Sequence, residues 1–278
     1  HLFGFFSVFN ADAVKNIELY KGTMPSNFGG RLASVVEVTM KDGNNQKFEV
    51  DGGIGLIASR LTVQGPIKKN VSSFLISARR TYIDVVSRPL IKDSSPFKGS
   101  GYYFYDLNAK LNYRFSDKDR LYLSSYFGKD KFYFKDANAG FESEIPWGNA
   151  TATLRWNHLY SDKLFSNLSV IYSKYDFSFS AIQDQFEFKL FSGIQDYNVK
   201  LDYSWFPAGR HRVKYGFNYV YHTFIPSNAT ARSGEVTFNT GNIVKLYGHE
   251  AAVYISDDFD VTEKLRINVG ARYSGFAH

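Results

Sequence analysis

Apolar and polar residues alternate with a period of two along most of the chain. Leu107, Ala109, Leu111, Tyr113 and Phe115 alternate with Asp106, Asn108, Lys110, Asn112 and Arg114. Val199, Leu201, Tyr203 and Trp205 alternate with Asn198, Lys200, Asp202 and Ser204. The same rhythm sets Leu265, Ile267, Val269, Ala271 and Tyr273 against Arg266, Asn268, Gly270, Arg272 and Ser274, and it runs from Val213 to Tyr221 with one break at Val220. Side chains of a strand point to opposite faces in turn, so each segment is predicted to be a strand with one greasy and one polar face.

These strands are long. Globular strands run to five or six residues, whereas Tyr103 to Phe115 carries the pattern for about thirteen, roughly 43 Å at ~3.3 Å per residue. A tilt of ~45° leaves about 30 Å of height, the thickness of a bilayer's hydrocarbon core. The pattern predicts about eleven strands, near 47–56, 58–66, 71–81, 103–115, 120–134, 148–160, 165–181, 194–206, 212–224, 247–260 and 265–277. Short polar turns are expected at Lys68–Asn70, Ser116–Asp119, Ser161–Lys163, Pro207–His211 and Thr262–Lys264. Longer links are expected near Ile83–Ser100, Lys135–Pro146, Ile182–Gly193 and Ile225–Tyr247, with a short helix in Ile83–Asp93 disturbed by Pro89. Short links on one side and long links on the other are the habit of outer-membrane barrels.

Composition supports that direction. Aromatic residues make up 18% of the chain, with 20 Tyr and 26 Phe. Aromatic rings with a polar edge suit a membrane–water interface. Mean hydropathy is −0.29 and no apolar run approaches 18 residues, which excludes a transmembrane helix but not a barrel, whose strands hide their hydrophobicity by alternating it. The net charge of +6 is dispersed rather than gathered in runs, which argues against a nucleic-acid partner. There are no cysteines, so neither disulfides nor thiolate metal sites are possible. "HLFGFFSVFN" has no basic n-region or small-residue cleavage site. Barrels of one bacterial chain carry an even number of strands, so an odd set ending in mid-strand is expected to be a fragment.

The first 43 residues differ in kind. "FNADAVKNIELYKGTMPSNFGGRLASVVEVTMKDG" suggests a helical turn at Ala11–Val14, a strand at Ile17–Lys21, a glycine-rich loop and a second strand ending in Lys41-Asp42-Gly43. "ADAVKNIELYKG", the "FGGR" turn at Phe28–Arg31 and the valine-rich strand ending "KDG" resemble the C-terminal part of the plug domain of TonB-dependent outer-membrane receptors. "IGLIASRLTVQGPI" and "FLISARRTYID" resemble the opening barrel strands of such receptors of the Bacteroidetes type. The resemblance implies an all-β fold, a partial antiparallel transmembrane β-barrel (residues 44–278) preceded by the end of a small α+β plug (residues 1–43). It implies active import across the bacterial outer membrane of a scarce bulky ligand such as a siderophore, cobalamin, glycan or peptide. The implied partners are the TonB complex, through a segment that this chain lacks, outer-membrane lipids including lipopolysaccharide, and a surface lipoprotein.

On this reading Gly29, Gly30, Arg31 and Glu37 are the expected plug–barrel contacts. Arg31 is expected either to pair with an inward carboxylate (Glu49, Asp51, Asp106 or Glu250) or to bond only to nearby loop carbonyls. Glu49, Asp51, Arg60, Arg79, Asp106, Lys110 and Arg114 lie on the polar face, and a cation on the lipid face would cost ~2–4 kcal/mol at the midplane, so they are expected to face the lumen. Tyr102, Tyr103, Tyr105, Phe132 and Tyr133 are expected at the outer interface, as girdle residues or as stacking platforms for a ligand. Trp156, Tyr160, Trp205 and Phe206 are expected in the opposite girdle. The six histidines lack metal-ligand spacing, so no metal or cofactor is expected, and no catalytic constellation stands out. A passive porin or structural barrel, or a soluble carbohydrate-binding β-sandwich, is the alternative.

Overall fold

A computed structural model describes residues 10–22, 24–30, 34–92, 95, 97–136, 138–239 and 244–278. Two antiparallel strands come first, β1 (Val14–Lys21) and β2 (Ser34–Met40), paired among the described residues only with each other. The rest forms one antiparallel sheet: β3 (Glu49–Ile54), β4 (Ala58–Lys68), β5 (Ser72–Thr81), β6 (Gly101–Arg114), β7 (Asp119–Asp136), β8 (Phe141–Ser161), β9 (Leu164–Gln183), β10 (Phe186–Trp205), β11 (His211–Ser233), β13 (Leu246–Asp260) and β14 (Arg266–Ala277). A short β12 (Val236–Asn239) folds back on the end of β11. Each main strand pairs with its neighbour in sequence, so the sheet is a meander with β3 and β14 at its edges.

The eleven expected strands are these eleven. Three of the expected long links are largely strand, however, although residues 240–243 of the third lie outside the described residues. β7 runs to Asp136 and β8 starts at Phe141. β9 and β10 meet over Asp184-Gln185, with Asp184 at φ +53, and β11 turns at Gly234 at φ +58. The pairing continues past the one-sided pattern, so β8 to β11 reach 20 to 23 residues and stand well above the apolar band. The Ile83–Ser100 link does hold a short helix, α1 (Ile83–Val86), followed by a 3-10 turn, Arg88–Leu90, that contains Pro89. The expected helical turn at Ala11–Val14 is instead a tight turn leading into β1, closed by Ala13 N–H to the Asn10 carbonyl at 3.1 Å.

Burial is inverted relative to a soluble protein. The buried residues include Thr62, Ser72, Ser73, Ser77, Asp106, Asn108, Lys110, Asp130, His222 and Ser256. Ile76, Leu107, Leu111, Leu123, Leu154, Val170, Val199, Phe217, Val253 and Val269 are exposed. Register explains the division: Arg79, Asp106 and Gly128 stand opposite one another, as do Ala78, Leu107 and Phe127, so every strand puts its polar set on one face. A face so apolar needs lipid around it, not water. A single sheet of this kind is not a two-layer sandwich.

Candidate functional site

The β1–β2 hairpin lies across the polar face of the sheet. At one end, Asn10 Nδ2 donates to Ser77 Oγ at 2.9 Å and Asp12 takes an ion pair from Arg60. Lys110 Nζ donates to the Met40 carbonyl at 2.9 Å and stands 2.7 Å from Asp42 Oδ1, while Ser73 Oγ donates to the Gly43 carbonyl at 2.7 Å. These partners belong to β4, β5 and β6. At the other end the β1–β2 loop reaches β13 and β14. Ser26 Oγ donates to the Ile255 carbonyl at 3.2 Å, and Arg272 Nη1 donates to the Ser26 carbonyl at 3.4 Å. Lys200 of β10 sits 5.6 Å from the Phe28 ring centre. One short hairpin touches both flanks of the sheet, so the sheet curls around it with the polar side inward.

Glycine permits the closest approaches. A Cβ at Gly29 would run into the Arg272 guanidinium, and one at Gly43 would run into the Phe74 carbonyl oxygen. Gly30 has φ +73, a conformation that side chains resist, and its Cα faces the Glu250 carboxylate. Of the expected hairpin contacts, Gly29 and Gly30 therefore stand against the wall. Glu37 faces the space between hairpin and wall but bonds within the hairpin, accepting from the Tyr20 hydroxyl at 3.5 Å. The Tyr20 hydroxyl also donates to Glu18 Oε2 at 2.7 Å, and that bond is the first reason its pKa is pushed up to about 12, with burial second. Arg31 lies outside the described residues. Of the four carboxylates expected as its partners, Glu250 is the one beside its neighbour Gly30.

The lumen candidates divide into groups. Arg79 Nη2 and Asp106 Oδ2 form an ion pair at 2.6 Å with the Asp106 side chain fully buried, and Arg79 also stacks over Phe104. Arg60 and Lys110 hold the hairpin. Glu49 and Asp51 lie on the same face near the sheet edge, where they pair with Lys47 at 3.0 Å and Arg60 at 3.6 Å. Arg114 is at the Ser116–Asp119 turn, 4.0 Å from Asp117, and holds none of the described residues of the hairpin.

The five aromatic candidates do not form one platform, because alternation splits them. Tyr102 and Phe132 are a cross-strand pair on the inner face, with Tyr102 stacked on Trp147 at 6.3 Å. Tyr103, Tyr105 and Tyr133 fall on the outer face, where Arg80 covers the Tyr103 ring and Phe127 packs on Tyr105 at 6.0 Å. Of the four residues expected in the opposite girdle, Trp156 and Tyr160 join His158, Tyr203 and Tyr215 in one run of ring contacts of 4.5 to 6.2 Å, and Phe206 stacks on Phe165 at 6.2 Å.

Pattern alone missed His222. It lies buried on the inner face, with Nδ1 2.8 Å from Asp196 Oδ1 and Nε2 3.6 Å from Glu250 Oε2. It lines a cavity of about 340 Å³ together with Phe28, Gly29, Gly30 and Val220. Val220, the break in the β11 alternation, is thus an apolar residue turned toward the hairpin loop. The signal was present in that break. Asn10, Asp12 and Ser77 were also missed, and nothing in their local sequence marks them.

No protein-family model and no curated protein matches the chain. Solved structures do. The ferric citrate transporter FecA in its unliganded form superposes with a TM-score of 0.69 at 14% identity, over 96% of this chain and 43% of that one. The ferripyoverdine receptor of the outer membrane of Pseudomonas aeruginosa gives 0.67 at 13% identity, over 95% and 42%. The siderophore receptor PiuA from Acinetobacter baumannii gives 0.65 at 12% identity, over 95% and 48%. The chain has the fold of part of these receptors. It spans less than half the length of each.

Proposed function

We propose that the chain is part of an outer-membrane active transporter of the TonB-dependent receptor class, a carrier and not an enzyme. Residues 1–43 are the end of its plug and residues 44–278 are part of its barrel wall. The observation that carries this reading is the β1–β2 hairpin seated across the polar face and bonded to both flanks. A passive pore needs its lumen clear, whereas this one is crossed by a segment held by a limited set of polar bonds that a pull could release. The ligand class is that of scarce, bulky solutes: ferric siderophores first, given the likeness to siderophore receptors, then cobalamin, glycans or peptides. The TonB complex supplies the pull, and a surface lipoprotein is a further partner. The Bacteroidetes-type assignment rests on the two opening strand motifs.

The test is uptake by cells carrying the full-length protein, using labelled ferric siderophores, cobalamin, oligosaccharides and peptides with and without a protonophore. Accumulation of one class that the protonophore abolishes is expected. Protonophore-insensitive equilibration, joined to a large steady conductance in planar bilayers, would make the protein a porin instead.

A further inference from the structure

Between strand β2 of the hairpin and the wall lies a cavity of about 420 Å³, within the ~300–1,000 Å³ typical of ligand sites. Lys110, Tyr122, Thr153, Arg155 and Ser169 line it from the wall, and Glu37 from the hairpin. Arg155 is the residue before Trp156 on β8, so the cavity lies toward the short-turn side of the sheet. The register sets Arg155 between Tyr122 of β7 and Ser169 of β9, both neutral.

The neighbouring inner cations are satisfied. Arg79 pairs with Asp106, Lys200 lies 3.3 Å from Asp202, and Lys110 holds Asp42 and the Met40 carbonyl. Arg155 differs from them. Its guanidinium stacks over the Tyr122 ring at 4.7 Å, yet among the described residues it forms no ion pair. Its Nε is shut off from solvent with no bonding partner among the described residues. Stacking uses the flat face of a guanidinium and leaves its in-plane N–H groups free to donate. A shielded donor without an acceptor is costly, so its retention asks for a partner that comes from outside. Glu37, the one carboxylate among the described lining residues, is taken up with the Tyr20 hydroxyl.

We propose that this cavity is an exit-side station for an oxyanion, the carboxylate or phosphate group of a solute in transit, held on the in-plane edge of Arg155. A planar fork of N–H donors matches either group in two parallel bonds. The hydroxyls of Tyr122, Thr153 and Ser169 add neutral donors to the same cavity. Glu37 faces the site from the hairpin and weakens it by repulsion, so the anion is passed on and not trapped. This narrows the imported solute to one that carries an anionic arm, and that step rests on the transporter reading above.

The experiment uses the full-length protein in detergent and maps phenylglyoxal modification of arginines by peptide mass spectrometry. Inorganic phosphate and succinate are compared with chloride at matched ionic strength. Arg155 should react in chloride and be protected at least threefold by both oxyanions, whereas Arg212, held by Asp260 at 2.8 Å, should not change between salts. Glu37→Gln should deepen the protection of Arg155, a gain that a misfolded variant cannot show. Equal reactivity of Arg155 in all three salts would overturn the site. So would an Arg155 inert even in chloride, because a carboxylate of the protein would then already hold it. In the uptake assay above, Arg155→Gln should slow an anionic solute at least fivefold with binding at the cell surface unchanged, and Arg155→Lys should recover part of the rate. Accumulation of an uncharged or cationic solute would overturn the assignment of the cargo. If no class accumulates in wild type, the transporter reading fails, and the protection of Arg155 still decides the site.

Discussion

Lys110 and Asp42 meet at 2.7 Å, joining the inner wall of the sheet to the segment that leaves the hairpin. The same ammonium donates to the Met40 carbonyl, so one side chain grips the chain on both sides of Lys41. Charge-assisted bonds of this kind contribute about 1.5–3 kcal/mol each when shielded. The Lys110 side chain is only 6% exposed, but Asp42 is half in solvent, which puts the pair at the low end of that range. Lys110→Met keeps the stem and removes both bonds. It is expected to lower unfolding stability in detergent by about 2 kcal/mol and to speed protease cleavage near residues 41–44. Unchanged cleavage would show that the grip lies elsewhere.

The Arg79–Asp106 pair makes a sharper prediction because it is buried. Removing one partner strands the other charge and costs about 3–5 kcal/mol. Arg79→Met and Asp106→Leu should each destabilise by that order, and the double variant should cost clearly less than the sum. Additive losses in a double-mutant cycle would mean that the two residues act separately.

Two glycines beside the hairpin should differ in tolerance. A Cβ at Gly43 meets the Phe74 backbone, which cannot step aside, whereas at Gly29 it meets the end of a long arginine. Forcing extra atoms into a packed contact costs about 1–3 kcal/mol. Gly43→Ala should pay that in full, and Gly29→Ala should be milder because Arg272 can swing away. Thermal denaturation of the two variants side by side decides the order, and a milder Gly43→Ala would contradict it.

The strands were readable from sequence because a lipid face and a polar face enforce a strict alternation. Where the strands rise past the band, that constraint ends. From Ile182 to Gly193 aromatic residues fall on both faces, the period disappears, and a continuous hairpin reads as a loop. The hairpin site was harder still. Asp12 finds Arg60 across 48 positions and Ser26 finds Arg272 across 246, and no local pattern carries such pairings. What could be read was chemistry by face: Arg60, Arg79, Asp106 and Lys110 all lie on the inner side, but their partners emerge only from the fold.

The three tryptophans form a built-in depth gauge. Trp156 and Trp205 stand 43% and 44% exposed on the outer face beside the short turns, and Trp156 Nε1 donates to Asp119 Oδ1 at 3.0 Å. That is the posture of interfacial aromatics, with the ring in lipid and the polar edge at the boundary. Trp147 is 8% exposed, stacked on Tyr102 over the inner face. Single-tryptophan variants, with the other two replaced by Phe, should separate cleanly in vesicles of brominated lipid. Trp156 and Trp205 should be quenched, most strongly when bromine is placed near the headgroup end of the acyl chain, and Trp147 should not. Strong quenching of Trp147 with weak quenching of the other two would turn the sheet inside out, and with it the lumen assigned to Arg79, Asp106 and Lys110.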